Sequence, residues 1–562
     1  MNVLASLTQP PFNLDGEAIA WVERLLASLT LEEKLQQLFV HLTIGDEPGP
    51  IESLMARKPG GIHRFFGNQL DEAWRGTRRA LELETLPLLV TGDLEAGGHG
   101  PYSMSRMPNQ LATAAANDLE LSDRLVRALA REGRALGFNW SFTPVVDVSK
   151  NIHSSIVGTR SYGSNIEAII AQAVTHIRAL QESGIAATAK HWPGEGFDQR
   201  DQHLVTTINP LSTSEWNDTF GRIYRAVFDA GVMTVMSAHI ALPSWAEKLG
   251  VPEGVERYCP ASQSAALNFG LMRDELGFNG LIVSDATEMA GLGSWTNRAT
   301  AVPQVIASGC DMFLFSKDAD ADLELMRQGM RRGVLTEQRV EDAVTRILGL
   351  KAALGLHSKS RDERLPALDV VRAEVRSSDN QEVARAVSSK AVTLVKDTQK
   401  TLPLTVDQHR RIVVVSSGTR EHPISGAPKQ LDGVVEGLKG LGFHVRHFDP
   451  AQPPTPENTD LVLYVLAVES ALTLSRIFLD WNLDHGGFPH SLDRFWREIP
   501  TVMVSFGHPY YLFDAPRVPT YVNAYSTIEA AQEAVVRKLT GAEEFAGVSP
   551  VDAFCGLPDA HY

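Results

Sequence analysis

Between Leu38 and Phe315, short apolar runs alternate with longer amphipathic stretches, and this alternation narrows the fold more than any other feature of the chain. The apolar runs lie at 38–42, 61–65, 87–91, 140–143, 186–189, 232–237, 280–284 and 311–315. Stretches at 122–136, 166–183, 212–230 and 260–276 carry helical periodicity between them. Strands that alternate with helices pair in parallel, and eight such repeats predict a closed TIM-type (β/α)8 barrel. A helical entry over 17–38, with Thr30 as N-cap before Leu31-Glu32-Glu33, precedes the repeats. A helical stretch over 335–356, with Thr336 as N-cap, closes them.

The expected organisation is a barrel domain over 1–357, a linker over 358–384 that is charged and lacks a clear period, and a second domain over 385–562. Apolar runs at 391–395, 412–416, 461–467, 501–506 and 520–524 alternate there with helical stretches at 430–441 and 528–539, which predicts an α/β sandwich. No glycine-rich phosphate loop follows any of these runs, so a nucleotide site has little support.

With 562 residues the chain exceeds one ordinary core, and 43% hydrophobic with 21% charged residues is the composition of a globular protein. A formal charge of −16 argues against a nucleic-acid partner or an anionic membrane surface. Cys259, Cys310 and Cys555 are few, odd in number and far apart, which fits neither a disulfide framework nor a zinc motif. Residues 1–14 contain no basic segment followed by a long apolar stretch, and nothing later approaches a membrane span. The expected location is the cytoplasm. Oligomeric state is not readable.

In a β/α barrel, chemistry sits at the C-terminal ends of the strands. That rule gathers Asp93 after the third run, Asp147 and Arg160 after the fourth, Lys190 and His191 after the fifth, His239 after the sixth and Asp285 after the seventh. Asp147 also suits a loop brace, and His239 a hydrogen-bonded wall residue. The loop Lys190 to His203 is broken by Pro193, Gly194 and Gly196, then delivers Asp201 and His203 two residues apart. A carboxylate beside an imidazole orients the ring and favours its protonated form, which equips it to protonate a leaving group. Asp285, closing the run Gly280-Leu281-Ile282-Val283-Ser284, can be a nucleophile, a metal ligand or a helix cap.

Taken jointly, Lys190-His191-Trp192-Pro193-Gly194 with Asp201-x-His203, Ser284-Asp285-Ala286, Gly158-Thr159-Arg160-Ser161-Tyr162-Gly163 and Gly92-Asp93-Leu94-Glu95 resemble family 3 glycoside hydrolases, nearest the bacterial β-N-acetylglucosaminidase branch. The second half resembles that family's second domain in Lys390-Ala391-Val392-Thr393-Leu394-Val395-Lys396, Thr401-Leu402-Pro403-Leu404 and Gly507-His508-Pro509-Tyr510. The resemblance implies His203 as acid/base, Asp201 as its partner and Asp285 as nucleophile, with Asp93, Arg160, Lys190 and His191 holding sugar hydroxyls. It implies no metal and no organic cofactor. The chain departs from the family's usual residues at Trp192 (Phe or Ile), Glu195 (His or Leu), Gln202 (Ser or Thr) and Ala96 (Gly).

The expected activity is therefore retaining hydrolysis of terminal β-linked N-acetylglucosamine through a glycosyl-Asp285 intermediate. The alternative is a phosphorylase acting on a β-N-acetylglucosaminide or β-glucoside with inorganic phosphate, because a spent imidazole is neutral and does not repel an anion. A silent sugar-binding protein and a metal-dependent hydrolase built from His191, His203, Asp201 and Asp93 are the other readings weighed; no compact ligand motif favours the latter.

Overall fold

The structure, a computed structural model, describes residues 3–65, 67, 69–97, 103–418 and 431–562. Eight strands follow the expected runs: β1 Phe39–Ile44, β2 Gly61–Phe65, β3 Leu89–Gly92, β4 Trp140–Ser141, β5 Thr188–Trp192, β6 Thr234–Ser237, β7 Leu281–Ser284 and β8 Phe313–Leu314. All pair in parallel, β8-β1-β2-β3-β4 in one ladder and β5-β6-β7 in another. Parallel bridges Trp140 to Ala186 and Val283 to Met312 join the two ladders and complete the circle. Strand interiors are buried on both faces, as a helix-jacketed parallel sheet requires. Inside the barrel the Trp140 indole N–H is satisfied by the hydroxyls of Thr188 and Thr234, each at 2.9 Å.

The helix starts were readable from their caps. Thr30 forms a reciprocal capping box with Glu33, and the Thr336 hydroxyl accepts from the N–H of Arg339. The stretch expected to be helical over 260–276 instead begins with a 3-10 turn, Ala261–Gln263, and continues as a wider π-helix, Ala266–Glu275.

The second sheet runs β9-β14-β13-β12-β10-β11, with β9 Thr393–Asp397, β10 Arg411–Ser417, β11 His444–His447, β12 Leu461–Leu466, β13 Thr501–Ser505 and β14 Thr520–Asn523. Only the β9-β14 pair is antiparallel. Alternation along β12 feeds two cores, Leu461, Leu463 and Val465 to one face and Val462, Tyr464 and Leu466 to the other. The helix expected over 430–441 is Asp432–Gly440; Gln430 lies outside the described residues.

Between the two units lie helices Arg361–Arg364, Leu368–Glu374 and Ser378–Ala391. The units also meet directly: Lys390 pairs with Asp118 at 2.7 Å, and the hydroxyls of Ser149 and Tyr510 lie 2.9 Å apart. Among the described residues no helix is long and apolar enough to cross a membrane.

Candidate active site

The C-terminal rim of the barrel gathers the residues the sequence singled out. Asp93 follows β3, Arg160 ends a 3-10 turn in the long loop after β4, and Lys190 and His191 sit within β5. Glu95 ties three of them together. Its carboxylate takes both forks of the Arg160 guanidinium at 2.8 Å and the Lys190 ammonium at 2.6 Å, while Lys190 also reaches Asp93 at 3.2 Å. Burial alone would lower the pKa of both cations, but Glu95 and then Asp93 outweigh it and hold each above its ordinary value. A buried cluster of fixed charge is therefore ready to grip hydroxyl groups.

Asp147 is a brace. Its Oδ2 lies 2.6 Å from Nδ1 of His191, and its Oδ1 accepts from the backbone N–H groups of His191 and Glu195 at 3.1 and 2.9 Å. His191 thus turns its other ring nitrogen away from Asp147. His63, midway along β2, faces the same network at 3.5 Å from Asp93, and burial lowers its pKa to about 4, which keeps it neutral.

After β5 the chain must turn sharply beneath the loop from β4. A Cβ on Gly196, at φ 111°, would stand 1.9 Å from the Val148 carbonyl oxygen, so only glycine lets the loops touch. Asn151 N–H donates to Gly196 O at 2.8 Å and zips them together. The loop then presents Asp201 and His203. Asp201 Oδ1 lies 2.6 Å from His203 Nδ1 and accepts from His203 N–H at 2.9 Å. Its Oδ2 accepts from the N–H of Thr473, at 3.1 Å, on a loop of the second domain. Burial works against the Asp201 anion, yet the His203 ring and the N–H groups of His203 and Thr473 outweigh it and hold its pKa down. The His203 side chain keeps 24% exposure while that of Asp201 keeps 1%, so the ring faces the open site over a buried anion.

Two of the unusual residues bond to each other. Gln202 donates to Glu195 Oε2 at 3.0 Å and accepts from the N–H of His239 at 3.0 Å, linking the dyad loop to the β5 loop and to the segment after β6. Burial first, then Asp147 and Asp201, push the Glu195 carboxyl well above the carboxylate range, which favours its neutral form. Trp192 is fully buried and packs edge-on to Trp216 and Tyr224, with ring centroids 5.7 and 4.8 Å away. Ala96 holds φ 67°, a conformation that costs a residue with a Cβ about 1 kcal/mol more than glycine.

Asp285 directly follows β7, its N–H donating to Ser237 O at 2.8 Å and its Oδ1 accepting from Ala286 N–H at 2.7 Å. Burial would raise its pKa, but the nearby His191, His239 and His203 rings outweigh it and keep the carboxylate ionised. His239 is the wall residue its position suggested, with Nδ1 2.9 Å from Ser262 Oγ and Nε2 3.0 Å from Ala286 O. The site therefore joins an ionised carboxylate, an Asp-His pair and a buried charged cluster.

Among the described residues, one trio of ligand-type side chains, Asp147, His191 and Glu195, places its atoms within 4.8 Å of one another. Asp147 spends both oxygens on His191 and the Glu195 N–H, which makes the trio a bracing network. Sequence reasoning missed Glu95 as a site residue although it stands in a quoted motif, two positions after Asp93. It also missed Thr473, whose backbone contribution has no side-chain signature.

Residues 30–350 match the model of the glycosyl hydrolase family 3 N-terminal domain. Over 99% of this chain and 100% of its own, a β-N-acetylglucosaminidase/β-glucosidase of Cellulomonas fimi is 39% identical. A β-glucoside phosphorylase of known structure superposes with a TM-score of 0.92 at 34% identity, covering 98% of this chain and 100% of the other. A family 3 β-N-acetylglucosaminidase from Paenibacillus sp. shares the fold, with a TM-score of 0.78 at 23% identity over 94% of this chain and 100% of its own.

Proposed function

The chain belongs to glycosyl hydrolase family 3, whose members cleave glycosidic bonds, and from that premise we propose that it is a retaining phosphorylase of β-glucosides or β-N-acetylglucosaminides. Asp285 attacks the anomeric carbon while protonated His203 gives its proton to the departing oxygen, leaving a glycosyl-Asp285 ester and a neutral imidazole. Asp201, ionised and buried, holds the ring and stabilises its charged form before transfer. Asp93, Arg160 and Lys190, locked through Glu95, orient the sugar hydroxyls.

The observation that carries the reading is the Asp201–His203 pair, which offers an imidazole as the acid/base group. A carboxylic acid in that place would be an anion after giving up its proton, and would repel a phosphate about 4 Å away by roughly 4 kcal/mol at an effective dielectric near 20. A spent imidazole carries no charge. The likeness to a β-glucoside phosphorylase over nearly the full chain supports the same choice. Hydrolysis of terminal β-N-acetylglucosamine is the second reading, favoured by the name of the Cellulomonas fimi relative.

The deciding experiment is product analysis on aryl β-glucoside and aryl β-N-acetylglucosaminide, with and without inorganic phosphate. A sugar 1-phosphate formed when phosphate is present establishes the phosphorylase. Free sugar under both conditions, at rates indifferent to phosphate, establishes the hydrolase instead.

A further inference from the structure

A phosphate that attacks the glycosyl-enzyme must be held on the side of the sugar where the leaving group stood, beside the acid/base loop. The cations already placed in the site are spent. Lys190 and Arg160 are neutralised by Glu95 and Asp93. Arg200, next to the dyad, is forked onto Asp198 with contacts of 2.6 to 3.0 Å.

A cleft of about 440 Å³ opens between the dyad loop and the second-domain loop that carries Thr473, lined by His153, Gln199, Arg200, Asp201, Ser475 and Arg476. Asp201 is the one carboxylate among these six, and its oxygens are already committed to His203 and Thr473. Arg476 differs from the other cations. Its guanidinium lies 4.7 Å over the Phe478 ring and makes no hydrogen bond or ion pair among the described residues. Asp514, a carboxylate that feels its charge, accepts from Leu479 N–H instead. The Gln199 amide and Ser475 hydroxyl of the same cleft are likewise unused among the described residues, so the donors an oxyanion needs stand together.

The geometry points to this cleft as the seat of the phosphate acceptor, with Arg476 of the second domain as the group that holds it. The inference rests on the phosphorylase reading and gives the second domain a part in the reaction. Monoanionic phosphate seated there passes one proton to neutral His203. Its oxygen bonds to the anomeric carbon as the bond to Asp285 breaks, releasing Asp285 as a carboxylate, the sugar 1-phosphate and a recharged imidazolium.

The test compares the full-length protein with Arg476→Ala and Arg476→Lys, following sugar 1-phosphate formation against phosphate concentration. The expected result is a half-saturating phosphate concentration raised at least ~10-fold in Arg476→Ala. Its kcat at saturating phosphate should fall by a smaller factor, with part of the affinity returning in Arg476→Lys. An unchanged phosphate dependence in Arg476→Ala overturns the inference. Should the parent form no sugar phosphate, the phosphorylase reading falls, and calorimetric titration with inorganic phosphate then judges the cleft. Binding lost in Arg476→Ala keeps it as an oxyanion site, and no binding to the parent removes it.

Discussion

His203 directs one ring nitrogen at a buried carboxylate and keeps part of its ring exposed, so as the proposed acid its value to the reaction depends on how much the departing group needs a proton. His203→Ala should slow turnover by roughly 10² to 10⁴ on glycosides with poor leaving groups, and far less on an activated phenol. Equal losses on both substrates would reassign His203 to a structural role. Glu195 offers a separate test of the electrostatics. Its carboxyl holds its proton more tightly in the folded protein than in the unfolded chain, so stability falls as pH rises above the unfolded value of about 4.3, until the folded value is passed. Glu195→Gln can still accept the Gln202 hydrogen bond but has no proton to lose. Its melting temperature should exceed that of the parent at about pH 8, and the advantage should vanish near pH 4. A variant less stable than the parent at both pH values would show that Glu195 is ionised in the fold.

At the scale of the element, the loop after β5 is held by contacts that no side chain other than hydrogen allows at Gly196. Gly196→Ala should destabilise by about 1–2 kcal/mol through its backbone angle alone, more through the overlap with Val148 O, and should lower activity by displacing Asp201 and His203. Gly250→Ala, also at positive φ but with open space around its Cβ, is the control for the backbone angle alone. Similar activity in the two variants would mean that the β4 and β5 loops do not fix the dyad. The elements themselves were largely legible, because buried parallel strands are continuous apolar runs and all eight of the barrel were found that way. β11 was missed because His-Val-Arg-His at a sheet edge is partly exposed and needs no apolar run. The rim residues were legible from strand ends, whereas Glu95 as the shared partner of Arg160 and Lys190 could be seen only once β3, β5 and the β4 loop were brought together.

The molecule as a whole places its second domain against the rim of the barrel where the reaction is expected to occur. Thr473 N–H reaches Asp201, Ala471 N–H donates to Ser155 O at 2.9 Å, the Thr159 hydroxyl donates to Glu469 O at 2.9 Å, and Asn109 donates to Glu469 and Tyr525. All of these barrel groups belong to the loops after β3, β4 and β5, so the second sheet serves as a wall that fixes the loops bearing the site. A hydrogen bond to a charged group contributes about 1.5–3 kcal/mol, and removing the Thr473 donor leaves Asp201 Oδ2 without it. A fragment spanning residues 1–384 should therefore lose at least ~10-fold in kcat/KM even where circular dichroism shows a folded barrel, since ~1.4 kcal/mol is a factor of ten. Adding residues 385–562 as a separate chain should restore part of the loss if the two halves dock as they do in the intact protein. A folded barrel fragment with the full activity of the parent would show that the second domain's grip on Asp201 contributes nothing to the chemistry. A fragment that folds, has lost activity and regains it on complementation would locate the dependence in the docked second domain, where Thr473 reaches Asp201, rather than in the stability of the barrel.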